Sequence, residues 1–421
     1  MLCAQDLQIK KMSIEDMFVL AESNSRNIQI FDIAQKEAEQ AIRVAQNAKL
    51  PSIDASLSGS FLGNGWIGDR DFSNGEKAPM PHWGNNFALE ASQVIYAGGA
   101  ISSNIEITKL QHRSAQLDKE NARQNVRFLL VGNYLEMYKL ANQKEVYLKN
   151  IEQTEKLLSN IRAKQIEGLA LKNDITRYEL QLKSLELALT QVDNSIVIIN
   201  NQLVTILQLP QETIIEVDKN LPSQLPTIHQ NSNWQQIAVN SLPSLQQAQI
   251  KIEQSKKNET LIKSERLPSV ALFAANHLDG PITIEVPPIN KNFNYWYVGV
   301  SVKFNIASIY KTSKKVKLAK LSTQRAIENE LLLKENVQTE VKTAHIRFME
   351  SFTIYETQMK SLELATQNYN TVNNRYLNDL ALITDMLDAS NSKLSAELQV
   401  ANAGINILFN YYRLKKAAGD L

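Results

Sequence analysis

The sequence predicts a mainly α-helical chain with four β-strands of membrane-spanning length, in an architecture that is written twice. Three observations lead there. The chain repeats itself internally, its long helical stretches keep an apolar beat of three and four, and the period drops to two at four short segments. Each half then reads helix, Leu-Pro-Ser, strand, loop, strand, very long helix, tip and long helix.

The repeat is visible in two matches. Asn47-Ala48-Lys49-Leu50-Pro51-Ser52-Ile53 returns as Ser264-Glu265-Arg266-Leu267-Pro268-Ser269-Val270, and Gly168-Leu169-Ala170-Leu171-Lys172-Asn173-Asp174 returns as Asp379-Leu380-Ala381-Leu382-Ile383-Thr384-Asp385. The offsets are 217 and 211 residues and the order is kept. This divides the chain into an N-terminal segment 1–12, a first repeat 13–209, a Pro-containing linker 210–233 and a second repeat 234–421. Helices are expected at about 24–49, 102–167 and 174–209, and again at about 243–266, 310–378 and 385–416.

Within these helices the apolar steps are those of an antiparallel coiled coil. Tyr178, Leu182, Leu185, Leu189, Val192, Ile196, Ile199, Leu203 and Ile206 follow Ile175 without a miss. Leu130, Tyr134, Met137 and Ala141 keep the same beat, as do Val337, Val341, Ala344 and Phe348 and then Leu387, Leu394, Leu398, Ala401, Ile405 and Leu408. The stretch 102–167 has only Gly132 as an interior glycine and no proline, so one helix of roughly 100 Å follows from a rise of about 1.5 Å per residue.

Proline after leucine ends each helix and sets the next residues to extended geometry. Ile53, Ala55, Leu57 and Phe61 then alternate with serines and Asp54, and Trp296, Val298, Val300, Val302 and Phe304 alternate with Tyr295, Tyr297, Gly299, Ser301 and Lys303. Strands are expected at about 52–61, 87–95, 269–276 and 295–304, a length suited to a tilted transmembrane strand. A soluble sandwich with one wet face is the other reading of these strands. The aromatics Phe61, Trp66, Trp83, Phe87, Phe273, Tyr295, Trp296 and Tyr297 sit where interfacial girdles are expected. The segments 59–83 and 277–294 read as exposed loops.

No apolar run approaches the ~18 residues of a spanning helix, so a place in the membrane has to come from a barrel. Four strands cannot close one, and an open edge is not tolerated in hydrocarbon. Two chains give eight strands and a filled interior, while three give twelve, so a duct favours the trimer. The 45 basic and 44 acidic residues balance to a net charge of +1, which gives no pull toward nucleic acid. His82, His112, His229, His277 and His345 show no ligand spacing, and no nucleophile elbow or phosphate loop is present, so neither a metal, a cofactor nor an enzyme is expected. The lone cysteine, Cys3, stands in Met1-Leu2-Cys3-Ala4-Gln5, read as the stump of a signal peptide cleaved after Ala4, with a lipidated cysteine and an ordinary start as rivals.

At this point the chain resembles the TolC family of outer-membrane efflux proteins. The resemblance covers almost the whole chain and rests on the duplicated halves, the Leu-Pro junctions, two strands per half, and Thr384-Asp385-Met386-Leu387-Asp388-Ala389 ahead of the last heptad helix. It implies a homotrimer with a twelve-stranded barrel in the outer-membrane lipid of a Gram-negative bacterium. It also implies a helical periplasmic tunnel and docking to a periplasmic adaptor (membrane fusion) protein and an inner-membrane pump, for efflux or type I secretion. By the same resemblance Asp385 and Asp388 are constriction aspartates, Asp174 and Tyr376 belong to the gate network, and Gly168, Leu169, Leu171, Leu380 and Leu382 form the adaptor-facing tips. One family member carries an arginine where this chain has Ala381, so a weaker or differently built clasp is implied. Simpler readings stand beside these roles: Asp174 as a helix cap, Tyr376 as core, and Asp385 with Asp388 as a solvated helix face. A structural or adhesive coiled-coil protein of the envelope, or a cytoplasmic scaffold, is the alternative for the whole chain.

Overall fold

The computed structural model describes residues 8–218, 233–285, 288–378 and 380–421. The cleavage site read around Cys3, most of the connector 210–233, and Asp379 lie outside the described residues. In chain order the elements are β1 (Gln8–Met12), α1 (Ile14–Asn24), α2 (Arg26–Gln46), β2 (Ser52–Phe61), β3 (Gly65–Ile67), β4 (Glu76–Ala78), β5 (Trp83–Ala97), α3 (Ala100–Ile166), α4 (Lys172–Leu207), β6 (Thr213–Val217), α5 (Trp234–Ser241), α6 (Pro243–Ser264), β7 (Ser269–Gly280), β8 (Phe293–Lys303), α7 (Ser308–Leu377) and α8 (Ile383–Ala417). They fall into two compact units, 1–34 with 116–247 and 330–421, and 35–115 with 248–329. Each unit therefore draws on both halves of the sequence.

The first unit is a helical assembly whose buried seams follow the heptad beat. Leu130, Tyr134, Met137, Leu203, Ile405 and Leu408 share one core, and Val337, Val341, Ala344, Phe348, Ile407 and Leu414 share another. On α4, Tyr178, Leu185, Val192 and Leu203 are the buried positions, as its alternating steps require.

Two strands in this unit were not expected. β1 pairs in parallel with β6, from Gln8 opposite Thr213 to Met12 opposite Val217. The segment 8–12 is thus a strand of the fold, and so is 213–217, inside the range read as linker. Tyr134 fixes the pair from the core side: its hydroxyl donates to the Met12 carbonyl (3.0 Å) and accepts from the Asp218 N–H (2.9 Å). Asn200 does the same from α4, donating to the Thr213 carbonyl and accepting from the Ile215 N–H, each at 2.9 Å. Two additional short helices, α1 and α5, also escaped the sequence reading.

The second unit holds a four-stranded antiparallel sheet in the order β2-β5-β7-β8 and a small hairpin, β3-β4, inside the segment read as a loop. β5 runs 15 residues and β7 12, both longer than their alternation suggested. Each Leu-Pro junction closes in the same way, Leu50 donating to the Asn47 carbonyl and Leu267 to the Ser264 carbonyl at 2.9 Å. Gly98, between β5 and α3, has φ +60°, and a Cβ there would stand 2.9 Å from the Ser264 carbonyl oxygen, so only glycine fits the corner.

The sheet has two chemically different faces. Ile53, Leu57, Leu89, Leu272, Trp296, Val298, Val300 and Val302 cover one, and all are exposed in the single chain, Leu57 to 79% and Val298 to 69%. The other carries Ser52, Asp54, Ser56, Ser58, Glu90, His277, Asp279, Tyr295 and Tyr297, read from the pairing register. Of the residues expected in an aromatic girdle, Phe61, Trp83, Phe87 and Trp296 lie on the apolar face. Phe273, Tyr295 and Tyr297 lie on the polar one, because strand parity, not residue type, decides the side.

Candidate gate and docking tips

The two helix-to-helix tips are built alike. At the end of α3 the Gly168 N–H donates to the Gln165 carbonyl (3.0 Å) and the Leu169 N–H to the Lys164 carbonyl (2.8 Å), with Gly168 at φ +79°. This is the Schellman closure, which satisfies the last carbonyls of a helix and needs a left-handed residue at its centre. At the end of α7 the Leu380 N–H reaches the Arg375 carbonyl over the same five-residue span, also at 2.8 Å. Leu169, Leu171, Leu380 and Leu382 are all exposed, between 64% and 70%. None of the four leucines is covered within the chain.

After each tip an aspartate starts the next helix. Asp174 Oδ2 accepts from the Leu171 N–H at 3.0 Å, and Asp385 Oδ2 accepts from the Leu382 N–H at 3.1 Å. Both acids occupy the third helical position and reach back to the cap residue, where they also face the positive end of the helix. The cap residue itself is Leu171 or Leu382, so Asp174 acts from the third helical position rather than as the N-cap, and both helices start two residues earlier than the sequence suggested. Cap and gate readings of Asp174 are compatible, since only one carboxylate oxygen faces the backbone.

Under the tips lies a core of Leu158, Ile161, Tyr178, Tyr376 and Met386, with Ala381 and Leu387 packed against it. Tyr376 is buried there, and Lys164 Nζ stands 5.1 Å from its ring centroid. The Tyr178 hydroxyl is buried with no hydrogen-bond partner among the described residues, and burial, with the Tyr376 and Tyr369 phenols near it, pushes its pKa up. Asp385 and Asp388 are exposed while Met386 and Ala389, between and beyond them, are buried. The structure therefore puts the two carboxylates on one outward face of α8 and leaves Tyr376 in the core below.

A second polar feature, which the sequence did not announce, sits further along α8. Lys393 is buried, with its Nζ 3.8 Å from Glu397 Oε1 and 4.5 Å from the Tyr369 ring centroid. Glu397 also accepts from Asn150 Nδ2 (3.0 Å) and lies 3.7 Å from Lys149 Nζ. Helices α3, α7 and α8 are thus tied by one charge cluster. In sequence Lys393 and Glu397 look like any exposed i, i+4 pair.

A model of the outer membrane efflux protein family matches residues 18–208, which is the first repeat almost entire. The first repeat thus matches the outer membrane efflux protein family. That match, with the fold, makes the chain a channel for efflux through the outer membrane. Solved structures of this kind share its fold over both repeats. CusC is 14% identical with a TM-score of 0.81, over 96% of this chain and 92% of that one. The outer membrane protein VceC of Vibrio cholerae is 14% identical with a TM-score of 0.78, over 96% of each chain. The Campylobacter jejuni outer membrane channel CmeC is 17% identical with a TM-score of 0.77, over 100% of this chain and 90% of that one. No curated protein sequence matches the chain.

Proposed function

We propose that three copies of this chain close one twelve-stranded barrel and form a passive duct, with the paired tips docking to a periplasmic adaptor that couples it to an inner-membrane pump. The observation that carries this reading is the sheet β2-β5-β7-β8. It is long enough to span a bilayer, its apolar face is uncovered, and β2 and β8 are unpaired edges among the described residues. In hydrocarbon such edges must pair, and only other copies of the same sheet supply partners of matching length and pattern. The chain's part in transport is to provide a path, and no chemical step is asked of it.

Asp385 and Asp388 are the proposed constriction. Exposed on one face of α8, they come to a ring of six carboxylates if α8 lines a threefold axis, and crowded carboxylates draw in cations and exclude anions. Purified in detergent, the protein should have the mass of three 47.5 kDa chains and conduct ions in planar bilayers. A monomer that conducts would sink the closure argument. A trivalent cation added at the helical end should block the current, and replacing both aspartates by Asn should remove the block.

A further inference from the structure

We propose that the polar face of the sheet carries a binding box for a planar organic cation. The box rests on the duct reading only for its place on the export path, since its walls lie within one chain. Four cross-strand rows build it: Ser58–Asn86–Asp279–Phe293, Ser56–Ala88–His277–Tyr295, Asp54–Glu90–Ala275–Tyr297 and Ser52–Ser92–Phe273–Gly299.

The aromatic side of these rows is a fixed stack. The His277 ring lies nearly parallel to Tyr295 (5.2 Å, 16°) and Tyr297 (5.8 Å, 17°), and Phe293 continues the column beyond Tyr295 (5.2 Å, 24°). Hydrogen bonds hold the ring edges: the Tyr295 hydroxyl donates to Asp279 Oδ2 at 3.2 Å, and the Tyr297 hydroxyl lies 3.4 Å from His277 Nε2. Phe273 closes the end, edge-on to Tyr297 at 5.9 Å and 72°. It lies over Gly299, where a Cβ would stand 2.7 Å from Phe273 Cζ, so the missing side chain makes room for the ring.

The carboxylate side is costly to the sheet by itself. Asp54 and Glu90 are directly opposed across β2 and β5, and like charges in that position repel. Between them and the rings is a cavity of about 250 Å³ lined by Asp54, Glu90, Ser92, Phe273, Ala275 and Tyr297. No lysine or arginine lines it. Lys303, on the same face, is six residues along β8 from Tyr297, roughly 20 Å at the rise of a strand. His277 is the nearest basic group to Glu90, with Nε2 3.8 Å from Oε1. An opening walled by ring faces and two carboxylates attracts a cation through both, and ring walls reward a flat one. An anion or a neutral amphiphile meets only repulsion or indifference there.

The test uses the full chain purified in detergent and the fluorescent monocation N-methylacridinium, with neutral acridine at pH 8 as its uncharged counterpart. Saturable binding of the cation is expected, with acridine about tenfold weaker. Glu90→Gln and Tyr297→Leu should each weaken the cation by about tenfold, the scale of one cation–π contact or one close charge. Tyr297→Phe, which keeps the ring, should stay within about twofold and guards against a folding defect. Equal affinity for cation and neutral probe would overturn the box, as would wild-type binding in both Glu90→Gln and Tyr297→Leu. Displacement by magnesium with no dependence on Tyr297 would reduce it to a bare carboxylate pair, and loss of binding only in the Asp385→Asn, Asp388→Asn protein would move the site to the helical end. Current through planar bilayers is read separately, so absent conductance with intact binding refutes the duct and leaves the box.

Discussion

Replacing Glu397 by Gln should destabilise the helical unit far more than removing its partner Lys393. The two side chains are 10% and 12% exposed, and their charged atoms are 3.8 Å apart. At an effective dielectric near 20, attraction at that distance is about 4 kcal/mol. Stripping one member from a buried pair generally costs about 3–5 kcal/mol, because the other charge stays behind without compensation. With Gln at 397, Lys393 keeps only the Tyr369 ring among its described partners, and a cation–π contact returns at most about 2 kcal/mol. With Met at 393 the outcome differs. Glu397 retains the Asn150 hydrogen bond and the Lys149 ammonium at 3.7 Å, whose side chain is 60% exposed and free to adjust. The loss there should be about 1–2 kcal/mol. Denaturant unfolding followed by far-ultraviolet circular dichroism measures both, and the Lys393→Met, Glu397→Gln double variant completes the cycle. The double variant should recover part of the Glu397→Gln loss, since no charge is then stranded. If Glu397→Gln costs no more than Lys393→Met, or if both stay below about 0.5 kcal/mol, the pair is effectively solvated and the reasoning fails.

Other outcomes follow from single contacts. Tyr134→Phe removes the bonds to Met12 and Asp218 and should cost about 1–3 kcal/mol, with the β1 amides exchanging faster in hydrogen-exchange measurements. The Tyr412 phenol is pushed up to about 12, by burial first and then by Glu15. A folded value above the free value of 10.0 means stability that is whole below pH 10 and is lost as pH rises through 12, so the thermal midpoint should fall across that window and fall less in Tyr412→Phe. Charged substitution at Leu169 or Leu380 should abolish export in cells while trimer mass and membrane insertion are unchanged; normal export from both variants would place docking elsewhere. Gly98→Ala should prevent assembly of the sheet, since the residue needs positive φ and a Cβ would meet the Ser264 carbonyl, and a normal yield of trimer would contradict the packing there.

How much the sequence determined depends on the range of the interaction. The heptad seams, the Leu-Pro corners and the two tips are local patterns, governed by helical and strand periods and by residues within six positions of one another. They were legible before any fold was known, down to the glycine at 168. The proposal that the sheet needs partner chains starts from the same local reading, because it follows from counting strands. Tertiary structure alone decided what long-range pairing decides. β1 and β6 are five residues each, carry charge, and meet across some two hundred positions, so neither announced itself. Lys393 and Glu397 have the spacing of a surface pair and become a buried one only when α3 and α7 cover them. The aromatics of the sheet were read together as interfacial girdles, yet register sends Trp296 to the apolar face and its neighbours Tyr295 and Tyr297 to the polar one. It also brings His277, 187 positions beyond Glu90, to within 3.8 Å of it. Periodicity assigns a residue to a face of its own element, but only the pairing of distant elements gives that face its neighbours, and charge, burial and binding depend on the neighbours.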